Sequence, residues 1–196
     1  MALISFVLAA ALAGGVQAPA AADCSVDRKA MLALSLEAFD QDLQGGWRTL
    51  GEAKGCHAEA ADLIAEYRRV HQPQERNVLV WHEAQMRANA GQPAAAVPLM
   101  RQSLRGPDGE ASGWNAYVEG SIAFLQRDRA ALDRALARLA ATPPPPGLDV
   151  KNGKFLITDP EGNSVEIRWP VNLDVLQALQ RCFDTPYLQA MQTCKH

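Results

Sequence analysis

Between Val26 and Leu139 large apolar residues recur three and four positions apart, the period of helices with one buried stripe. Met31, Leu32, Leu34, Leu36, Phe39 and Leu43 define a first helix, with Ser25 as its N-cap and Gly45-Gly46 as its stop. A second helical stretch starts at Trp47. A third starts near Ala58, carries Ala61, Ile64, Ala65 and Tyr67, and ends before Pro73. After Ala141 the period changes. Pro143 to Pro146 read as a stiff linker. Alternating apolar positions then predict two short strands, Lys154 to Thr158 and Ser164 to Trp169, joined by Asp159-Pro160-Glu161-Gly162-Asn163. Phe155, Ile157, Val165 and Ile167 share one face of this hairpin, which is expected to pack on the helices. Asn172 is the expected cap of a helix running to about Phe183, and Thr185-Pro186 opens a last helix ending near Cys194.

Within the helical part the chain repeats itself. Val78–Leu104 aligns without a gap on Trp114–Ala140 after a shift of 36 residues. Trp81 falls on Tyr117, Glu83 on Glu119, Ala84 on Gly120, Gly91 on Arg127, Ala96 on Leu132 and Met100 on Leu136. Each unit reads as a helix, a tight turn and a second helix. Small residues at Ala84 and Gly120 allow close helix approach, and Met100 and Leu136 are expected to fill the space between helices. Pro93 suits a first helical turn, while Pro98 removes one backbone donor inside its helix.

This pattern resembles the tetratricopeptide repeat family, whose unit is a helix pair of about 34 residues. Ala84, Ala96, Met100 and Ser103 occupy the family's marked places in one unit, and Gly120, Leu136 and Pro144 in the other. Trp47, Leu50 and Gly51 reproduce the start of an earlier unit. The chain departs from the family at Arg87 and Ala123, where a tyrosine is usual, and at Leu132, where a small residue is usual. The resemblance spans roughly Gly46 to Pro144. It implies a mostly α fold: a short right-handed solenoid of helix pairs over about 26–141, a Pro-rich linker at 142–147, an inserted β-hairpin at 154–169 and terminal helices at 172–194. It also implies a concave groove for a protein or peptide partner. The groove would be lined by Val78, Trp81, Gln85 and Asn89 and then Trp114, Tyr117, Ser121 and Phe124; the partner-binding set is Trp81, Gln85, Asn89, Trp114, Tyr117 and Ser121. The alternative is that the same aromatics fill the core between units or are covered by the hairpin and the final helices.

Composition narrows the setting. Ile4 to Val16 is an uncharged apolar run, shorter than a membrane span, followed by Ala20 and Ala22 in the spacing of an A-x-A cleavage site. Residues 1–22 are therefore expected to be a signal peptide cleaved after Ala22, leaving one domain, 23–196, in the periplasm or outside the cell. Four cysteines allow three pairings; the nearest in sequence are Cys24–Cys56 and Cys182–Cys194. The net charge of −3 and pI near 5.8, with no basic stripe, argue against nucleic acid. No later segment suits stable membrane insertion.

Few residues suggest reaction chemistry, and no cofactor is expected. His82-Glu83 begins like a zinc-protease helix, but Met86 stands where the second histidine belongs. His57, His71 and His196 lack spaced partners. Asp159 to Ile167 is similar to the closing hairpin of the glyoxalase and extradiol-dioxygenase superfamily, in which the glutamate matching Glu166 binds a metal. That fold draws its other ligands from several strands, and this sequence offers only two, so no metal is expected. The remaining cluster is Asp40, Asp42, Trp47 and Arg48, a polar set that could hold a small ligand or serve acid–base chemistry. The two carboxylates, two apart on a helix, would point in different directions. An exported, non-enzymatic interaction module is the expected function; the alternative is a small-ligand site or enzyme at the Asp40/Asp42/Trp47/Arg48 region or, last in order, a metal-dependent glyoxalase-like site at Glu166.

Overall fold

The computed structural model describes residues 23–72, 76–158, 162 and 164–195. The expected signal peptide, the turn residues Asp159, Pro160, Glu161 and Asn163, and His196 lie outside the described residues. Ten α-helices, one π-turn and one two-stranded antiparallel sheet account for the described regular structure. None of the described helices is long and apolar enough to cross a membrane.

The N-terminal segment departs from the single helix expected there. Helix α1 covers only Arg28–Leu32 and is capped by Asp27, whose carboxylate accepts the Ala30 N–H at 3.0 Å. Ser25 is not the cap; its N–H is bonded to Asp23. The chain then breaks, because side chains from α3 (His57–His71) take the carbonyls a longer helix would use. Tyr67 Oη donates to Leu34 O at 3.0 Å, and His71 Nε2 lies 2.8 Å from Leu32 O. A π-turn, Glu37–Gln41, follows and buries Phe39 and Asp40. Leu43, expected in the apolar stripe, is 74% exposed. The stop at Gly46 is conformational: its φ is +53°, and a Cβ there would stand 2.0 Å from Phe39 O. Helix α2 (Arg48–Gly51) leads into α3.

Two helix pairs share their boundaries at one shift along the chain. Helix α4 (Arg76–Asn89) ends at Asn89 and α7 (Trp114–Leu125) at Leu125. Helix α5 (Pro93–Gln102) begins at Pro93 and α8 (Arg129–Ala140) at Arg129. Each partner lies 36 positions on. The turn between helices is left-handed at the same place in both, with φ +72° at Gly91 and φ +60° at Arg127. Arginine pays a steric cost there, yet its guanidinium holds Phe183 O and Thr185 O. A short helix, α6 (Pro107–Ala111), separates the units. It is fixed by buried Asn115, which bonds both the N–H and the C=O of Arg105. The small-residue expectation holds at Gly120, where a Cβ would meet Leu176 at 2.7 Å and Ala135 at 3.3 Å. In the second unit Leu132, Ala135 and Leu139 are buried, while Leu136 is only partly so, correcting its expected role as the plug.

Two apolar clusters result. One joins the π-turn, α2 and α3 with Leu79 and Met86 of α4. The other joins Trp81, Ala84 and Ala88 of α4 with α5, α7, α8 and the terminal helices α9 (Leu173–Arg181) and α10 (Tyr187–Thr193). Helix α4 therefore gives one face to each. Asn172 precedes α9 in a left-handed conformation (φ +66°) and makes no side-chain cap. Disulfides join Cys24 to Cys56 and Cys182 to Cys194, the pairing nearest in sequence. Two such bridges indicate an oxidising compartment.

Strands β1 (Lys154–Thr158) and β2 (Ser164–Arg168) pair Phe155 with Ile167 and Ile157 with Val165, so these four share one face as expected. The expected docking of that face on the helices is corrected. Ile157 and Val165 are 53% and 59% exposed, and Leu156 on the opposite face is 65% exposed. The hairpin is anchored at its base, where Phe155 meets Trp169 edge to face and Trp169 Nε1 donates to Thr142 O at 3.0 Å.

Candidate functional site

The structure builds its most organised polar site around Asp40. The π-turn turns this side chain inward until the residue is 1% exposed. Its Oδ1 accepts the indole N–H of Trp47 at 2.9 Å and lies 2.6 Å from Nδ1 of His82. Oδ2 accepts from Gln41 Nε2 at 2.6 Å. Arg48 donates to the Asp40 carbonyl and stacks 4.5 Å over the Trp47 ring. Three separate elements thus converge on one carboxylate. Burial by itself would raise the pKa of Asp40. The hydrogen bond and charge of His82, the Trp47 N–H and the charge of Arg48 outweigh that and hold it below its usual value.

Asp40, Trp47 and Arg48 lie together, and His82, 42 positions away on α4 and outside the cluster expected from the sequence, joins them. Asp42 is not part of the site; it is exposed and accepts the Gln44 N–H at 2.9 Å. Chemically, Asp40 fixes the Nδ1 side of His82, the orienting half of a general-base pair. A shallow depression of about 270 Å³ adjoins Asp40, Leu36 and Val78. No group of three or more metal-binding side chains occurs among the described residues. Next to this site, Arg68 pairs with buried Glu83, and Arg87 reaches Asp62 at 2.6 Å. These pairs bind α3 to α4.

The expected groove is occupied by the chain itself. Trp81, Tyr117, Ser121 and Phe124 are buried, while Val78, Gln85, Asn89 and Trp114 are half-buried. Trp81, Trp114 and Tyr117 pack together with ring centroids 4.9–5.9 Å apart. Trp114 Nε1 donates to Ser103 O at 2.8 Å, and Gln85 Nε2 to Tyr117 Oη at 3.3 Å. From α10, Tyr187 inserts against Phe124, 5.9 Å between centroids. Burial pushes the Tyr187 phenol up to about 12, opposed by the nearby Gln85 and Ser121 side chains. The phenol of Tyr117 is likewise pushed far up by burial. The buried aromatics of the expected groove, Trp81, Tyr117 and Phe124, are thus core, in one apolar cluster with side chains of the terminal helices.

Of the other candidates, Glu166 is half exposed and pairs with Lys154. His57 is partly buried at the start of α3, which lowers its pKa. His71 stacks on Tyr67 at 4.2 Å. Comparison of the chain with protein-family models, with curated proteins and with solved structures finds no match.

Proposed function

We propose that the protein is an exported, non-enzymatic module of tetratricopeptide-like type that binds a protein or peptide. The repeated helix boundaries support the tetratricopeptide-like reading, and the two disulfides support export. The observation that carries the binding reading is the hairpin. Of the six exposed large apolar side chains among the described residues, three sit on it: Leu156, Ile157 and Val165. Exposed apolar residues gathered on one projecting element mark an interaction surface. The outer edge of β2 adds backbone groups at Ser164, Glu166 and Arg168 that have no backbone partner among the described residues and can accept an extended segment.

The test places a photo-crosslinking residue at Ile157 and, as a control, at exposed Leu43, in cells that export the full chain. A partner captured from Ile157 but not Leu43 supports the proposal. It must also be lost in a Leu156→Ser/Ile157→Ser/Val165→Ser variant whose unfolding midpoint is unchanged. Equal capture from both positions, or capture that survives the triple change, refutes it.

A further inference from the structure

A two-stranded ribbon is marginal in water unless further strands or a helix support it. Here the outer part of the apolar face is bare, with Ile157 and Val165 exposed. The two edges of the ribbon differ. The Trp169 N–H donates to Gly153 O at 2.8 Å, which sets the ladder. Phe155 and Ile157 exchange bonds with Ile167 and Val165, and the backbone groups of the residues between them point outwards. On the β1 side the chain closes its own edge at the base, where Lys151 and Lys154 exchange N–H···O bonds of 2.8 and 3.0 Å. On the β2 side Ser164, Glu166 and Arg168 have no backbone partner among the described residues. The β2 edge is therefore the one open to extension.

The side chains along this edge select the strand that fits it. Two copies of β2 paired edge to edge about a two-fold axis run antiparallel, and the residue on the axis fixes the register. With Glu166 on the axis, its carboxylate meets its own copy. With Val165 on the axis, Glu166 meets Ser164 of the second copy. With Ile167 on the axis, Glu166 of each copy stands opposite Arg168 of the other. Opposite charges placed so stabilise a sheet, and like charges destabilise it. Arg168 is exposed and makes no ion pair among the described residues. Glu166 is half exposed beside Lys154, so its carboxylate has room for a second cation. In the same register Ile167 meets its own copy and Val165 meets Trp169, an aromatic–β-branched pair. The apolar face then continues across four strands.

We infer that the hairpin, taken as the binding surface proposed above, binds a second copy of this chain, β2 pairing antiparallel with β2 about a two-fold axis at Ile167. Such a contact is small and therefore weak, so dimers are expected at roughly 0.1–1 mM and monomers at about 1 μM. Sedimentation velocity of the full, disulfide-bonded chain reads this equilibrium. Glu166→Arg alone and Arg168→Glu alone each set like charges opposite one another twice, and each is expected to weaken dimerisation at least about tenfold. Mixed one to one, the two variants regain two opposite-charge pairs per dimer, and dimerisation should return to within about threefold of the wild type. Both positions are exposed, and an unchanged thermal midpoint in dilute solution checks the fold of each variant. The inference is overturned if the wild-type chain stays monomeric over this range, if either single change leaves the dimer as strong, or if the mixture stays monomeric. Should the chain stay monomeric while the Ile157 crosslink captures another protein, self-pairing falls and the hairpin surface stands. Should both fail, the surface falls with it.

Discussion

Replacing Asp40 with alanine tests the reading of the polar site most directly. The substitution removes the acceptor of the Trp47 indole N–H, of His82 Nδ1 and of Gln41 Nε2 together. The side chains of Asp40 and His82 are only 2% and 17% exposed, so water cannot fully replace the lost carboxylate. Each buried donor left without an acceptor costs about 1–3 kcal/mol, and hydrogen bonds to a charged carboxylate stand at the upper end of that range. Because these terms overlap, the expected loss is about 3–5 kcal/mol. That is a large part of the roughly 5–15 kcal/mol that stabilises a typical domain. Asp40→Asn keeps an acceptor for Trp47 but removes the charge, and should lose about 1–3 kcal/mol. Guanidinium unfolding followed by far-ultraviolet circular dichroism measures both. The pH dependence adds an independent check. The folded-state pKa of Asp40 lies below its unfolded value, so its contribution is present above the ordinary carboxylate range and is lost as the pH falls through the folded pKa. The gap between wild type and Asp40→Asn should therefore close in acid. A loss below about 1 kcal/mol for Asp40→Ala, or a gap unchanged down to pH about 2, refutes the site as a stabilising centre.

Tyr187→Phe removes a hydroxyl that has no hydrogen-bond partner among the described residues, so stability should hold within about 1 kcal/mol or rise, read as the thermal midpoint. Gly46→Ala forces a Cβ against Phe39 O at φ +53° and should cost about 1–3 kcal/mol in the same assay. Replacing Cys24 and Cys56 together by serine opens a loop of 32 residues and should lower denaturant stability by about 3–4 kcal/mol. Glu166→Ala breaks an exposed pair with Lys154 and should change stability by less than about 1 kcal/mol, with no divalent-ion effect on the thermal midpoint of either protein.

Features carried by local chemistry were legible from the sequence. Register in the hairpin follows from alternation around one turn, and the helix pairs follow from a period that repeats at a fixed shift. The disulfides followed from proximity along the chain. What could not be read depends on contacts between distant residues. The first helix looks continuous until Tyr67 and His71 claim the carbonyls of Leu34 and Leu32, more than thirty positions earlier. Asp40 and His82 carry no motif, because neither the π-turn nor the angle between α3 and α4 leaves a spacing rule. The groove residues follow the same logic. Trp81 and Tyr117 have the composition of a binding surface and of a core alike, and only the position of α10 decides between them. The hairpin erred in the opposite direction: nothing in an alternating strand states whether its apolar face will find a partner within the chain.

The double role of α4 bears on how the molecule can be divided. Leu79 and Met86 belong to one apolar cluster, and Trp81, Ala84 and Ala88 to the other. A cut on either side of this helix strips one cluster of a wall. The part that loses α4 should then fail to persist as an autonomous folding unit. Melting of one cluster exposes a face of α4 and weakens the seat of the other, so heat or denaturant should dissolve both in one cooperative step.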